Sequence, residues 1–221
     1  MKLVLKGIAR RAKRNLKIIV PCALVVILAA IGWTIHHHSQ KTIAAKKSAV
    51  ITYSPDKPDE TKPDKQTFKW YGQDNDPKYI TMPTIKAEGF LQKVGTDQHK
   101  QVATPGNIYM AGWFVSTARP GQKGLSIIDG HVNGLQNPGI FKNLGKLKQG
   151  DTYTVEFGNG STKTFKVKRV ENVPVAQAAD VLFSQDPKTI SQLNLITCGG
   201  AFNRTIHQYE NRIIAVTEAV N

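Results

Sequence analysis

An all-β fold, a closed or nearly closed barrel of eight short strands with few short helices, set behind an N-terminal transmembrane helix, is predicted by three features of this chain. Residues 79–221 contain eight short apolar or alternating runs separated by turn residues. Helical pieces in that stretch are few and short. Ahead of it lies an uncharged, mostly apolar run of 18 residues, 18–35, near the lower limit for a membrane-spanning helix and longer than the core of an ordinary signal peptide.

The elements follow in order. Residues 1–17 hold Lys2, Lys6, Arg10, Arg11, Lys13, Arg14 and Lys17 with no acid, half of the net charge of +14. A basic cluster abutting an apolar run reads as a topology signal, so a nucleic-acid partner loses its main support. The tail is expected in the cytoplasm, residues 18–35 in the membrane as an uncleaved signal anchor, and the remainder outside. Residues 36–78 read as an extended extracytoplasmic linker. The stretch from Ser54 to Lys65 is proline, charge and polar residues throughout, a composition that buries too little to offset the entropy of ordering. His36, His37 and His38 read as a polar flank at the membrane exit, although residues 66–78 carry Trp70 and Tyr71, which have surface to pack back on a domain.

From residue 79 the expected strands are 79–85, 90–94, 109–113, 124–128, 152–157, 164–170, 193–197 and 212–216. The clearest hairpin joins the fifth and sixth across Gly158-Asn-Gly160. Single helical turns are expected near residues 139–145 and 177–183.

Three residues at strand ends carry chemistry. Cys198 is one of two cysteines, and the other, Cys22, lies in the apolar run, so no disulfide framework exists and Cys198 reads as a reactive thiol. His131 ends the strand Leu125-Ser-Ile-Ile-Asp-Gly-His131 and is the histidine, among six, that an apolar strand delivers to a site. Arg212 opens an apolar strand fourteen residues after Cys198. A thiolate nucleophile, a proton-transfer group and a permanent cation for developing negative charge form a coherent acyl-transfer set. Each alone has a plainer reading: a turn-capping histidine, a small buried hydrophobe, a solvated arginine.

Ile127-Ile-Asp-Gly-His131, Leu195-Ile-Thr-Cys198 and Glu210-Asn-Arg212-Ile-Ile-Ala-Val216 resemble, in that order, the three signature segments of sortases. Ala111-Gly-Trp-Phe114, Arg119-Pro-Gly121 and Gly124 are similar to the segment before the histidine; Gly139-Ile-Phe141, Leu144, Leu147 and Gly150-Asp151 are similar to the one after it. The Asp-Gly-His and Cys-Gly-Gly forms look most like the class E or class F branches. The resemblance covers residues 79–221 and implies a sortase-type eight-stranded barrel and a membrane-anchored cysteine transpeptidase. It would cleave an LPXTG-like sorting signal on secreted proteins through a thioacyl intermediate and pass the protein to an amine of a cell-wall precursor peptide or of a pilin lysine. It implies catalytic roles for Cys198, His131 and Arg212, a substrate or oxyanion role for Thr197, and no cofactor. Asp129, Asp151, Glu156 and Glu171 are scattered and assemble no metal site. Two alternatives use the same sequence differently: a cysteine peptidase that releases its product to water, and a non-catalytic anchored binding module. An L,D-transpeptidase signature is absent, because Gly199 and Gly200 follow Cys198 with no arginine two residues on.

Overall fold

The computed structural model describes residues 27–39 and 50–220. The chain divides into two compact units, Met1–Lys47 and Ser48–Asn221. In the first, residues 27–39 form a helix, α1, on which Trp33 stacks against His37 one turn on, with ring centroids 5.5 Å apart. No described helix is long and apolar enough to cross a membrane. The expected basic tail, and residues 18–26 of the expected span, lie outside the described residues.

The second unit is a closed barrel of eight strands: β1 (Pro77–Met82), β2 (Ala87–Val94), β3 (Ala111–Phe114), β4 (Gly124–Gly130), β5 (Thr152–Phe157), β6 (Thr162–Pro174), β7 (Ser191–Asn203) and β8 (Gln208–Val220). Their order around the barrel is β1-β2-β3-β4-β7-β8-β6-β5. Two neighbour pairs, β2/β3 and β4/β7, run parallel, and the rest are antiparallel. All eight expected strands are present. The last three extend well past the sequence expectation, because their ends are polar yet still paired: β6 and β8 pair from Thr164↔Val220 to Pro174↔Asn211. The β5/β6 hairpin turns where expected, with Gly160 at φ +81. One α-helix, α2 (Val175–Leu182), links β6 to β7, and the turn expected near residues 139–145 is a short 3-10 helix, Leu144–Lys146.

Strand alternation sorts the apolar residues into two layers. Leu91, Trp113, Ile128, Phe141, Tyr153, Phe165, Leu193, Leu195 and Ala215 fill the barrel interior. On the outer side, Val94, Phe114, Ile127, Ile196, Ile214 and Val216 are covered by Ala178 and Leu182 of α2 and by Ala103. Tyr153 crosses the interior, and its hydroxyl meets Thr217 Oγ1 at 2.8 Å. Burial pushes this phenol far above its ordinary range.

The described part of the expected linker is not a solvated spacer from residue 50 onward. Ile51 bridges to Val94 and Asp59 to Asn107. Phe68 and Trp70 pack on Tyr79, Phe90 and Met110, and Trp70 Nε1 donates to Leu91 O at 3.0 Å. Two of its acids accept from the barrel loops: Asp59 accepts from Asn107 Nδ2 at 3.0 Å. Glu60 accepts from the backbone N–H groups of Leu135, Gln136 and Asn137 and from Asn137 Nδ2. Composition alone misses this, since a carboxylate that meets several donors at once is ordered by them.

Asp76, just before β1, has a side chain 2% exposed and accepts from Gln73 N (3.0 Å), Lys93 Nζ (3.0 Å) and Arg119 Nε (3.3 Å). Burial raises its carboxyl, but the Gln73 amide and the two cations outweigh that and hold it below the ordinary value. Its contribution to stability is therefore present above the unfolded carboxylate value and lost as pH falls through the folded one. Asp76→Ala is expected to cost about 2–3 kcal/mol in denaturant unfolding at pH 7, with the gap to the native chain closing as pH falls below the ordinary carboxylate range.

Candidate active site

Cys198 and Arg212 stand directly opposite each other across the antiparallel β7/β8 ladder. Leu193 and Leu195 point into the barrel, while Ile196 belongs to the outer layer, so alternation puts the Cys198 side chain on the outer face with Ile196. The same alternation on β8 puts Arg212 there with Ile214 and Val216. On the other side of β7, the parallel β4 ladder pairs Asp129 with Ile196. Carrying that register on by two residues brings His131, just past the end of β4, level with Cys198. The three sequence-nominated residues thus gather at one end of one outer face. Each is partly buried, reachable but screened.

The chain bends as soon as it has presented the thiol. A Cβ on Gly199 would lie 2.7 Å from Ile213 Cγ1, and Gly200 sits at φ +76, where a side chain is strained. The β7/β8 register then shifts between Gly199 and Phe202.

His131 Nε2 lies 2.7 Å from Pro105 O. A carbonyl only accepts, so Nε2 carries the hydrogen, and Nδ1 is the nitrogen left to take up a proton. Burial pushes the imidazole below its ordinary value, against the Pro105 carbonyl, which favours the charged form. Burial likewise pushes the Cys198 thiol up; Arg212 pulls it down and Asp129 adds to the rise. The guanidinium is oriented by two carbonyls, with Arg212 Nη1 donating to Asn211 O at 3.0 Å and Tyr209 O at 3.3 Å.

The Sortase domain family matches residues 80–220, well over half of the chain. The chain belongs to the sortase family. It is a cysteine transpeptidase of that type. Among solved structures, it is similar to a lid mutant of sortase A from Corynebacterium diphtheriae, 24% identical, with 66% of this chain and 70% of that one covered and a TM-score of 0.50. Sortase C-1 from Actinomyces oris is 26% identical, over 67% of this chain and 76% of that one, with a TM-score of 0.49. A Clostridium perfringens sortase D5 transpeptidase is 18% identical, over 67% and 82%, with a TM-score of 0.48. The first of these shares the barrel; no curated protein matches the chain.

In this sortase, Thr197 faces inward. Its side chain is buried, and its hydroxyl donates to Gly130 O at 2.6 Å. It ties β7 to the peptide immediately before His131, so it holds the histidine and the cysteine in one frame. Next in sequence to Cys198, Thr197 points to the opposite face of β7.

Two contributors escaped the sequence reading. Pro105 has no local signal, since it reaches His131 only through the fold. Asp129 had one: it is an acid in an apolar strand, two residues before His131 and on the same face. It is 8% exposed and lies within electrostatic reach of Arg212 and Cys198. Among the described residues, no group of three His, Cys, Asp or Glu is placed to hold a metal ion. A hollow of about 440 Å³ lined by Lys62, Met82, Lys86, Ile140 and Lys142 includes none of Cys198, Arg212 or His131. The thiol instead sits on a screened face.

Thr197→Val removes the hydroxyl at nearly constant volume and is expected to cost about 1–2 kcal/mol in denaturant unfolding, because Gly130 O loses its side-chain donor. The transpeptidation kcat/KM is expected to be bell-shaped. Its acid limb should fall below the ordinary imidazole value because the His131 pKa is lowered. Its alkaline limb should fall above the ordinary thiol value because that of Cys198 is raised. Initial rates across pH, with stability followed in parallel, check both limbs.

Proposed function

We propose that this sortase is a membrane-anchored transpeptidase that cleaves an LPXTG-like sorting signal near the C-terminus of secreted proteins and joins the protein to an amine. The acceptor belongs to a cell-wall precursor peptide or to a pilin lysine. The observation that carries the reading is the Cys198↔Arg212 cross-strand pair with His131 level beside it.

The chemistry follows from the three side chains. Cys198 Sγ, as thiolate, attacks the carbonyl carbon of the threonyl–glycyl bond. The developing oxyanion is met by Arg212, which keeps its charge throughout and has donors beyond the Nη1 bonds to Asn211 and Tyr209 carbonyls. The C–N bond breaks, and the leaving amine takes its proton from His131 Nδ1. The incoming amine returns a proton to Nδ1 as it attacks the thioester, and Cys198 leaves as thiolate. Because burial favours thiol and neutral imidazole, the reactive thiolate–imidazolium pair is the minority form at neutral pH.

The class E or class F assignment rests on the Asp-Gly-His131 and Cys198-Gly-Gly segments. The uncharged run 18–35 behind seven basic residues supports a single-pass anchor with a cytoplasmic N-terminus, which holds the barrel outside where translocated proteins emerge. On this reading the domains are the tail 1–17, the anchor 18–35, the connecting segment 36–78 and the catalytic barrel 79–221. Nucleic acid is not a partner, and the reaction needs no cofactor.

Full-length protein mixed with a panel of LPXTG-like peptides and a small amine, and followed by mass spectrometry, tests the reading. Peptide–amine product is expected, and Cys198→Ala abolishes it. Arg212→Lys, which keeps a charge but loses the planar fork of donors, is expected to lower kcat about 10²- to 10³-fold. Cys198-dependent hydrolysis that ignores the amine would overturn the transpeptidase reading in favour of a peptidase.

A further inference from the structure

Asp129 is a buried acid that the acyl-transfer chemistry does not use. It sits on β4 in the parallel ladder with β7, paired with Ile196, and in the antiparallel ladder with β3, paired with Gly112. Ile127 before it is in the outer apolar layer, so its carboxyl points to the same outer face as Ile196, Cys198 and Arg212. Along the strands it lies one pleat, about 7 Å, below the level of Cys198 and His131. An acid buried in an apolar layer costs stability unless its charge has a use or a partner.

The groups around it can be named. The Cys198 thiol on β7 and the Arg212 guanidinium on β8 lie within its electrostatic reach; His131 lies two residues on along its own chain. Strand β3 brings no charged residue. The charged residue of α2 is the exposed Asp180, and the segment between β2 and β3 carries Asp97, His99 and Lys100 near residues 97–100. Of these, Arg212 is the charge that acts on the Asp129 carboxyl, and the Gly130 amide bonds to it. Arg212 Nη1 is turned to the carbonyls of Tyr209 and Asn211 and makes no ion pair with Asp129. Across the outer face the Cys198 thiol, on β7, therefore lies between the Asp129 carboxyl on β4 and the Arg212 guanidinium on β8.

We propose that Asp129 is a positioning residue that governs the charge on Cys198 in opposition to Arg212: ionised, it repels the thiolate and offsets the guanidinium, keeping Cys198 a thiol, and protonated, it leaves Arg212 alone to favour the thiolate. The inference goes beyond the transpeptidase reading and needs only a Cys198 thiol that titrates beside Arg212. Burial pushes the Asp129 carboxyl up to about 7, against the Gly130 amide and Arg212, so the change of state falls in the neutral range. The sign follows. Below that range Asp129 is neutral and the thiolate is opposed only by burial. Above it, the carboxylate adds repulsion and the thiol titrates later. The device damps thiol reactivity as the surroundings turn alkaline, and a merely structural buried acid would not.

Iodoacetamide alkylation of Cys198 in the full-length protein, read at the Cys198 peptide by mass spectrometry from pH 5.5 to 10, tests this. Asp129→Asn keeps the shape and removes the charge. It is expected to alkylate about tenfold faster than the native chain at pH 8, equivalent to about one pH unit in the thiol, and at the same rate at pH 5.5. Asp129→Glu, which keeps the charge, is expected to retain the native dependence on pH. Superimposable native and Asp129→Asn profiles, with both proteins melting cooperatively, would overturn the proposal. Should Asp129→Asn fail to fold, the native profile decides alone: an added inflection near neutrality supports the proposal, and a single thiol titration overturns it. Alkylation needs neither peptide nor amine. A tenfold effect without any peptide–amine product would therefore sink the transpeptidase reading and leave this one, and the reverse result would sink this one alone.

Discussion

The strand register around β7 is the constraint on which the site depends. Asp129↔Ile196 on one side and Cys198↔Arg212 on the other determine which side chains share a face and a level. Side chains alternate with a period of two, so a slip of one residue on either ladder would send Cys198 into the barrel or Arg212 away from it. The two apolar layers forbid that slip. Leu193, Leu195 and Ala215 must stay inside, and Ile196, Ile214 and Val216 must stay under α2. The same burial that stabilises the barrel therefore aligns Cys198 with Arg212. Thr197 adds a polar lock: its hydroxyl bond to Gly130 O ties the strand of the cysteine to the peptide that leads into His131.

That location also sets the chemistry's working state. A face screened by α2 and by the segment carrying Pro105 withdraws water from both Cys198 and His131, which raises the thiol and lowers the imidazole. The resting site is held as a neutral pair. Arg212 supplies the one fixed charge, and two main-chain carbonyls orient it, so its direction is a property of the β8 backbone. The loop after His131 is held from two directions, by Glu60 on Leu135, Gln136 and Asn137 and by Tyr209 Oη on Asn133 at 2.5 Å. Gly139 belongs to the same frame, since a Cβ there would lie 2.3 Å from His131 O.

The segment before β1 shows where composition misleads. Between residues 54 and 65, prolines and charges make a stretch that reads as solvated, and by its own surface it has little reason to order. Order comes from outside it. The Asn107 side-chain amide and the backbone N–H groups of residues 135–137 are donors that meet the Asp59 and Glu60 carboxylates, and the Asp59 main chain pairs with Gly106 O and Ile108 N. An acidic residue in such a segment is equally compatible with water or with a nest of amides, and only the tertiary partner distinguishes the two.

The sequence by itself determined the barrel and its chemistry-bearing strand ends. Eight apolar runs with their turn residues were legible because burial imposes local periodicity, and His131, Cys198 and Arg212 were legible because strand termini deliver reactive side chains to a surface. Only the tertiary structure decided how those ends meet. The parallel pairing of β4 with β7 joins strands separated by more than sixty residues, and nothing local specifies which neighbour a buried strand chooses. The same holds for Pro105 as the partner of His131, for the inward turn of Thr197 and for the exclusion of water around Asp129. Each depends on a contact between segments far apart in the chain, and such contacts exist only once the barrel has closed.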